Sequence, residues 1–155
     1  MSIANITLKE CDETGSLSCE RKSALDGLAT KNNFSPLGTD APGPFDLTLS
    51  IQDNRLVMEL TDANGLSLPT LVLSLRPYAR LIRDYFMMIE SYETARRDGH
   101  HMRLEAIDMG RRGLHNEGAE LLQDRLKDRI SMDFETARRL FTLICALYGG
   151  RGPIL

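Results

Sequence analysis

Phe45-Asp46-Leu47-Thr48-Leu49-Ser50-Ile51-Gln52, then Asp53-Asn54, then Arg55-Leu56-Val57-Met58-Glu59-Leu60, is the stretch that decides the fold class. Phe45, Leu47, Leu49 and Ile51 alternate with polar neighbours, which is the period of a strand with one buried face. Asp53 and Asn54 tolerate left-handed backbone, so they predict a tight turn. Leu56, Met58 and Leu60 resume the alternation on the return strand. Asp62-Ala63-Asn64-Gly65 predicts a second hairpin. A third strand is expected over about Leu66–Leu75, with Pro69 at an edge or bulge because it cannot donate to a ladder. Ile3–Leu8, rich in β-branched residues, reads as a further strand. The expectation is an antiparallel meander of three to four strands.

On either side of this meander the period changes. Ser18 is a candidate cap for a helix running to about Thr30, whose Ala24, Leu25, Leu28 and Ala29 share a face. Residues 31–44 collect Pro36, Pro42 and Pro44 and read as a flexible loop. After Pro77 the pattern is helical throughout. Tyr78, Leu81, Ile82, Tyr85, Phe86, Ile89 and Tyr92 form a stripe over a helix 77–97, which Asp98-Gly99 ends. Glu93 and Arg97 are an i,i+4 pair in the favoured order. Further helices are expected over His101 to about Arg112, interrupted at Gly110 and Gly113, and over Asn116 to about Ile130. A last helix capped by Asp133 runs through Tyr148 and stops at Gly149-Gly150. Strands followed by helices define an α+β class, with the C-terminal helical half packed on the sheet. Leu47, Leu49, Leu56, Met58 and Leu60 are expected to face helix 77–97.

The chain has 155 residues, 42% hydrophobic and 26% charged, with a net charge of −3, which fits a single globular domain over 1–155. That composition excludes a disordered chain, and no apolar run approaches the ~18 residues that span a bilayer. Met1–Gly15 lacks the pattern of a secretory signal. Cys11, Cys19 and Cys145 are an odd, scattered set, which fits a reducing cytoplasm better than a disulfide framework. Residues 1–75 carry ten acids and five bases, whereas 76–139 carry twelve acids and thirteen bases. No element shows the basic surplus of a nucleic-acid binder.

No phosphate loop, nucleophile elbow or zinc spacing is present, so neither cofactor nor metal is expected. Cys145 lies on an apolar face and reads as core. His100-His101 point about 100° apart on a helix and read as a solvated turn. The densest chemistry lies between Glu105 and Glu120. Gly110, Gly113 and Gly118 each cost a helix about 1 kcal/mol relative to Ala, which implies a break or a close approach. Asp108 can reach Arg111 and Arg112 at i+3 and i+4, and Asn116 is a plausible helix cap between His115 and Glu117. One reading is a polar pocket with Arg forks for a carboxylate or phosphate, and His115 and Glu117 as partners. The other is a structural helix–turn–helix junction held by Arg–Asp pairs.

Several strings here are long and unusual: Ile107 through Gly118, Asp84-Tyr85-Phe86-Met87, Glu90-Ser91-Tyr92, and Asp133 through Cys145. With them the chain resembles the uncharacterised protein family 0262 of alphaproteobacteria, from about Phe45 to Tyr148, with the N-terminal third fitting less well. The resemblance implies a bacterial cytoplasmic protein and a role in growth or cell-shape control, with the actin-like cytoskeleton a candidate partner.

Two functions follow as expectations. The first is a non-catalytic regulatory or adaptor protein that binds another protein and does not enter membranes. The second is a small enzyme or ligand sensor that holds an anion at Arg111, Arg112, His115 and Glu117. The apolar surplus of the last helix and of Tyr78–Tyr92 also makes a homodimer a candidate.

Overall fold

A computed structural model describes residues 1–11 and 17–149. Its elements run β1 (Ile3–Leu8), α1 (Ser18–Thr30), β2 (Phe34–Pro36), β3 (Phe45–Gln52), β4 (Arg55–Thr61) and β5 (Leu71–Ser74), then a 3₁₀ turn, α2 (Ala79–Asp98), α3 (His101–Leu126), β6 (Ile130–Met132) and α4 (Phe134–Tyr148). The fold is α+β, as the change of period implies.

The hairpin at the centre forms as its sequence dictates. Asp53 and Asn54 both take positive φ, +52° and +59°, the geometry of the two-residue turn that matches strand twist. Leu47 pairs with Leu60, Leu49 with Met58 and Ile51 with Leu56, so one face of the pair is wholly apolar and buried. At the next turn the Asp62 carboxylate accepts hydrogen bonds from the backbone N–H groups of Asn64 and Leu66, at 2.9 and 3.0 Å. β5 is shorter than the alternation implies. Thr61 and Ser67 make an isolated bridge, Pro69 lies outside any strand, and regular pairing resumes only at Leu71.

The fourth strand corrects the meander. The sheet order is β1-β3-β4-β5, and β1 runs parallel to β3. A parallel neighbour requires a crossover, and α1 supplies it. No side chain caps α1: Leu17, not Ser18, precedes its first turn. Asn32, just past α1, donates to Ile3 O and accepts from Ile3 N–H, so it pairs the outer edge of β1.

Residues 31–44 are not the featureless loop that their prolines imply. β2 pairs antiparallel with β6, setting Phe34 opposite Met132 and Pro36 opposite Ile130. Phe34 is fully buried, and Asn33 N–H donates to the Thr136 hydroxyl at 3.0 Å. This clasp ties the segment before the sheet to the turn between α3 and α4.

The last helix is the axis of the core. Every residue from Leu140 to Tyr148 is buried, and α4 packs against α3, α1, α2 and β3. The sheet therefore lies against α4 and α1, whereas α2 packs chiefly on α3; this corrects the assignment of the sheet face to helix 77–97. It also places the apolar surplus of α4, from Leu140 to Tyr148, inside the chain, with Phe134 left 38% exposed at its start. The Asp133 carboxylate caps α4 by accepting from Thr136 N–H at 3.0 Å. Gly149 follows Tyr148 with φ +59°, and Gly150 lies outside the described residues. α2 ends at Gly99 (φ +72°), with Gly99 N–H donating to Arg96 O and His100 N–H to Ala95 O, the paired bonds of a Schellman cap. Glu93 pairs with Arg96, one residue short of the expected Arg97. No described helix is long and apolar enough to cross a membrane.

Candidate functional site

The stretch read as a broken junction is a single helix of 26 residues. The expected break is overturned, whereas the close approach of helices that the glycines also implied is found at Gly118 and, more loosely, at Gly110. A Cβ on Gly118 would land inside the Phe141 ring of α4, within 2.6 Å of Cδ2. A Cβ on Gly110 would lie 3.2 Å from the Met88 methyl. Nothing in the structure requires glycine at 113.

Because α3 is continuous, Asp108, Arg111, Arg112 and His115 fall at i, i+3, i+4 and i+7 and share one face. Asn116 and Glu117 do not. Asn116 is exposed in mid-helix and caps nothing, and Glu117 turns away to pair with Arg80 at 2.7 Å. Of the six candidates, four therefore converge. They form one wall of an open cleft of about 290 Å³, closed by α1 and α4.

α1 contributes Glu20, α4 contributes Glu135, Arg138, Arg139 and Thr142, and Tyr85 of α2 lies beneath. Arg111 joins the helices. It donates to Glu20 Oε1 at 2.9 Å and to Asp108 Oδ1 at 2.6 Å, and lies 5.7 Å from the centre of the Tyr92 ring. Burial works against its charge, but the two carboxylates outweigh burial and raise its pKa. Arg112, with its side chain 72% exposed, makes one ion pair, to Asp108 at 3.2 Å. Opposite, Glu135 lies between Arg138 and Arg139 at 3.2 and 3.5 Å. Arg139 reaches across α1 to Gly27 O at 3.3 Å, through space that any Cβ at position 27 would fill. Arg138 Nε is buried and has no acceptor among the described residues.

His115 forms the floor. Its Nε2 is 3.1 Å from Tyr85 Oη and 3.3 Å from Thr142 Oγ1. Tyr85 Oη is also within reach of Glu20 Oε2 and Thr142 Oγ1 of Arg138 O, an arrangement that suits a proton on Nε2 donated to the two oxygens. Burial, with Arg138 and Arg111 nearby, pushes the His115 pKa down to about 4. The imidazole is thus neutral at pH 7. Burial likewise pushes the phenol of Tyr85 and the thiol of Cys145 up.

Reading the sequence missed Glu20, Tyr85, Glu135, Arg138, Arg139 and Thr142. Their one signal was that Arg138-Arg139 and Thr142 interrupt an otherwise apolar helix.

The fold and cleft define a class: an α+β domain whose three helices enclose a mixed arginine–carboxylate cleft over a neutral histidine. The chain belongs to the uncharacterised protein family UPF0262, which matches residues 2–149. That match takes in the N-terminal third. A UPF0262 protein of Brucella canis is 51% identical over 129 residues, covering 83% of this chain and 81% of the relative. A UPF0262 protein of Rhizobium etli is 50% identical over 129 residues, covering 83% and 82%. No solved structure matches.

Proposed function

We propose that this is a non-catalytic, cytoplasmic regulatory protein that senses a small anionic ligand in the α1–α3–α4 cleft. The observation that carries this reading is the convergence of Arg111, Arg112, Arg138 and Arg139, from two helices, on one cleft that holds three carboxylates. Guanidinium forks recognise oxyanions through paired N–H donors, and an excess of one positive charge favours an anionic guest. A binding role suits His115 better than a catalytic one. A general base works best with a pKa near ambient pH, and a histidine held at about 4 is a weak base there.

The test is a thermal-shift screen of organic and inorganic anions at constant ionic strength. A ligand at a hundred times its Kd adds about 2.7 kcal/mol, equivalent to a rise of several degrees in a domain of this size. Arg112→Gln should keep the melting temperature of the free protein and lose that rise. If no anion shifts the protein, the reading fails.

A second reading, an adaptor for a protein partner, is supported by methionines. Met87, Met102 and Met109 are 59%, 87% and 72% exposed. Met87 borders a shallow apolar groove between α2 and α3, and adaptable Met-rich surfaces suit protein partners. Both readings can hold together, with the anion controlling the partner.

A further inference from the structure

We propose that the group recognised in the cleft is a phosphate dianion, and that it binds by displacing the Glu135 carboxylate from between Arg138 and Arg139. This rests on the anion-sensing reading and names the ligand's chemistry.

The carboxylates already in the cleft mark where oxyanions sit. Asp108 bridges Arg111 and Arg112, and Glu135 bridges Arg138 and Arg139. The two bridges differ in how firmly they are held. Asp108 has a 30% exposed side chain and a 2.6 Å bond to an Arg111 that Glu20 also anchors. Glu135 is 50% exposed, in the first turn of α4, and its contacts are 3.2 and 3.5 Å. Arg138 and Arg139 are themselves only 26% and 32% exposed, but Glu135 is half in water and its contacts are long, so it can swing out at a cost that an incoming anion on the same two guanidiniums offsets.

A single carboxylate group replacing Glu135 would gain almost nothing, because it offers the same charge and the same two oxygens. A phosphate dianion offers a second charge and a third acceptor oxygen. Two of the oxygens would take the positions of the Glu135 carboxylate. The third can meet Arg138 Nε–H, a buried donor without an acceptor among the described residues, or Arg112, whose 72% exposed side chain is held only by Asp108 and can close over the cleft. A 290 Å³ cleft also leaves room for a small organic group esterified to the phosphate.

Calorimetric titration with inorganic phosphate, phenyl phosphate, acetate and succinate, at matched ionic strength and pH 7.5, tests this. The expected result is that both phosphates bind and acetate and succinate do not, with phenyl phosphate tighter if the natural ligand is an ester. Glu135→Gln removes the resident competitor and should tighten phosphate by about two- to fivefold. Glu59→Gln, which removes the same charge from the outer face of the sheet, should leave it unchanged. Arg138→Lys keeps the charge but removes Nε–H, and should weaken phosphate by about tenfold while the folded spectrum is retained. If succinate binds as tightly as phosphate, or Glu135→Gln fails to tighten it, the phosphate assignment is overturned while the cleft remains an anion receptor. If no probe binds, both fall.

Discussion

Gly118→Ala adds one methyl group to a helix interior, where alanine is favoured over glycine by about 1 kcal/mol. The structure predicts that it nevertheless destabilises the protein. The new carbon would stand within 2.6 Å of the Phe141 ring, against the ~3.5–4.0 Å that two carbons prefer. Phe141 is fully buried and makes an edge contact with Tyr85 at 6.1 Å, and Tyr85 is hydrogen-bonded to His115. The ring has nowhere to retreat, so α3 and α4 must separate. Overpacking of this kind costs about 1–3 kcal/mol, and with the propensity gain subtracted the net loss is about 0–2 kcal/mol, toward the upper end where the ring cannot shift. Gly113→Ala is the same chemical change on the same helix, with nothing within 4 Å of the new carbon. It should stabilise by about 0.5–1 kcal/mol. Urea denaturation followed by circular dichroism at 222 nm measures both. Gly118→Ala matching Gly113→Ala in sign and size would refute the close packing of α3 on α4.

His115 should make stability fall in acid. It is neutral in the folded protein down to about pH 4, whereas the unfolded chain takes up a proton near pH 6.5, so stability declines as pH drops between those values. The full shift corresponds to ~3 kcal/mol, and partial exposure reduces it to about 2. His115→Gln should flatten the decline between pH 7 and 4.5 by that amount, and an unaltered pH profile would contradict the buried neutral ring. Arg111 and Arg112 should separate on truncation. Arg111→Ala takes the ion pair from Glu20 and the shorter of two from Asp108, leaving them, among the described residues, only the Tyr85 hydroxyl and the exposed Arg112, and should cost about 1.5–3 kcal/mol, whereas Arg112→Ala should stay within ~0.5 kcal/mol. Equal losses in thermal melts would show that the two do not differ. Asp133→Ala removes the only hydrogen-bonded side-chain N-cap among the described helices and should cost about 0.5–2 kcal/mol, and a smaller loss in the same melts would show that the cap is idle.

The elements that were legible are those whose signal is local. Alternation from Phe45 to Leu60 wrote the hairpin, Asp53-Asn54 wrote its turn, and Asp133 wrote the start of α4. The parallel pairing of β1 was not legible, because a strand's own residues do not say which neighbour it takes, and the α1 crossover decides that. Gly110 and Gly118 misled as breaks because helix propensity is a local preference that packing between helices overrides, and nothing in the structure explains Gly113. The same error split the site. With α3 broken at Gly113, Asp108 and His115 belong to different elements; on one helix they share a face. Arg138 and Arg139 drew no reading from the sequence, since only the fold brings Glu20 and Arg111 opposite them.

The central position of α4 sets the order in which this protein can be made. Among the described elements α4 leaves the ribosome last, yet it is the one on which the sheet, α1 and α3 all lean. Its bonds to the early chain bridge sequence separations of 103 and 112 residues, Asn33 to Thr136 and Gly27 to Arg139. During synthesis, the apolar faces of Leu47, Leu49, Leu56 and Met58 emerge well before the helix that will cover them. The nascent chain must therefore keep a half-finished sheet in water until α4 has emerged, which is the condition under which chaperones hold a chain and strand edges find wrong partners.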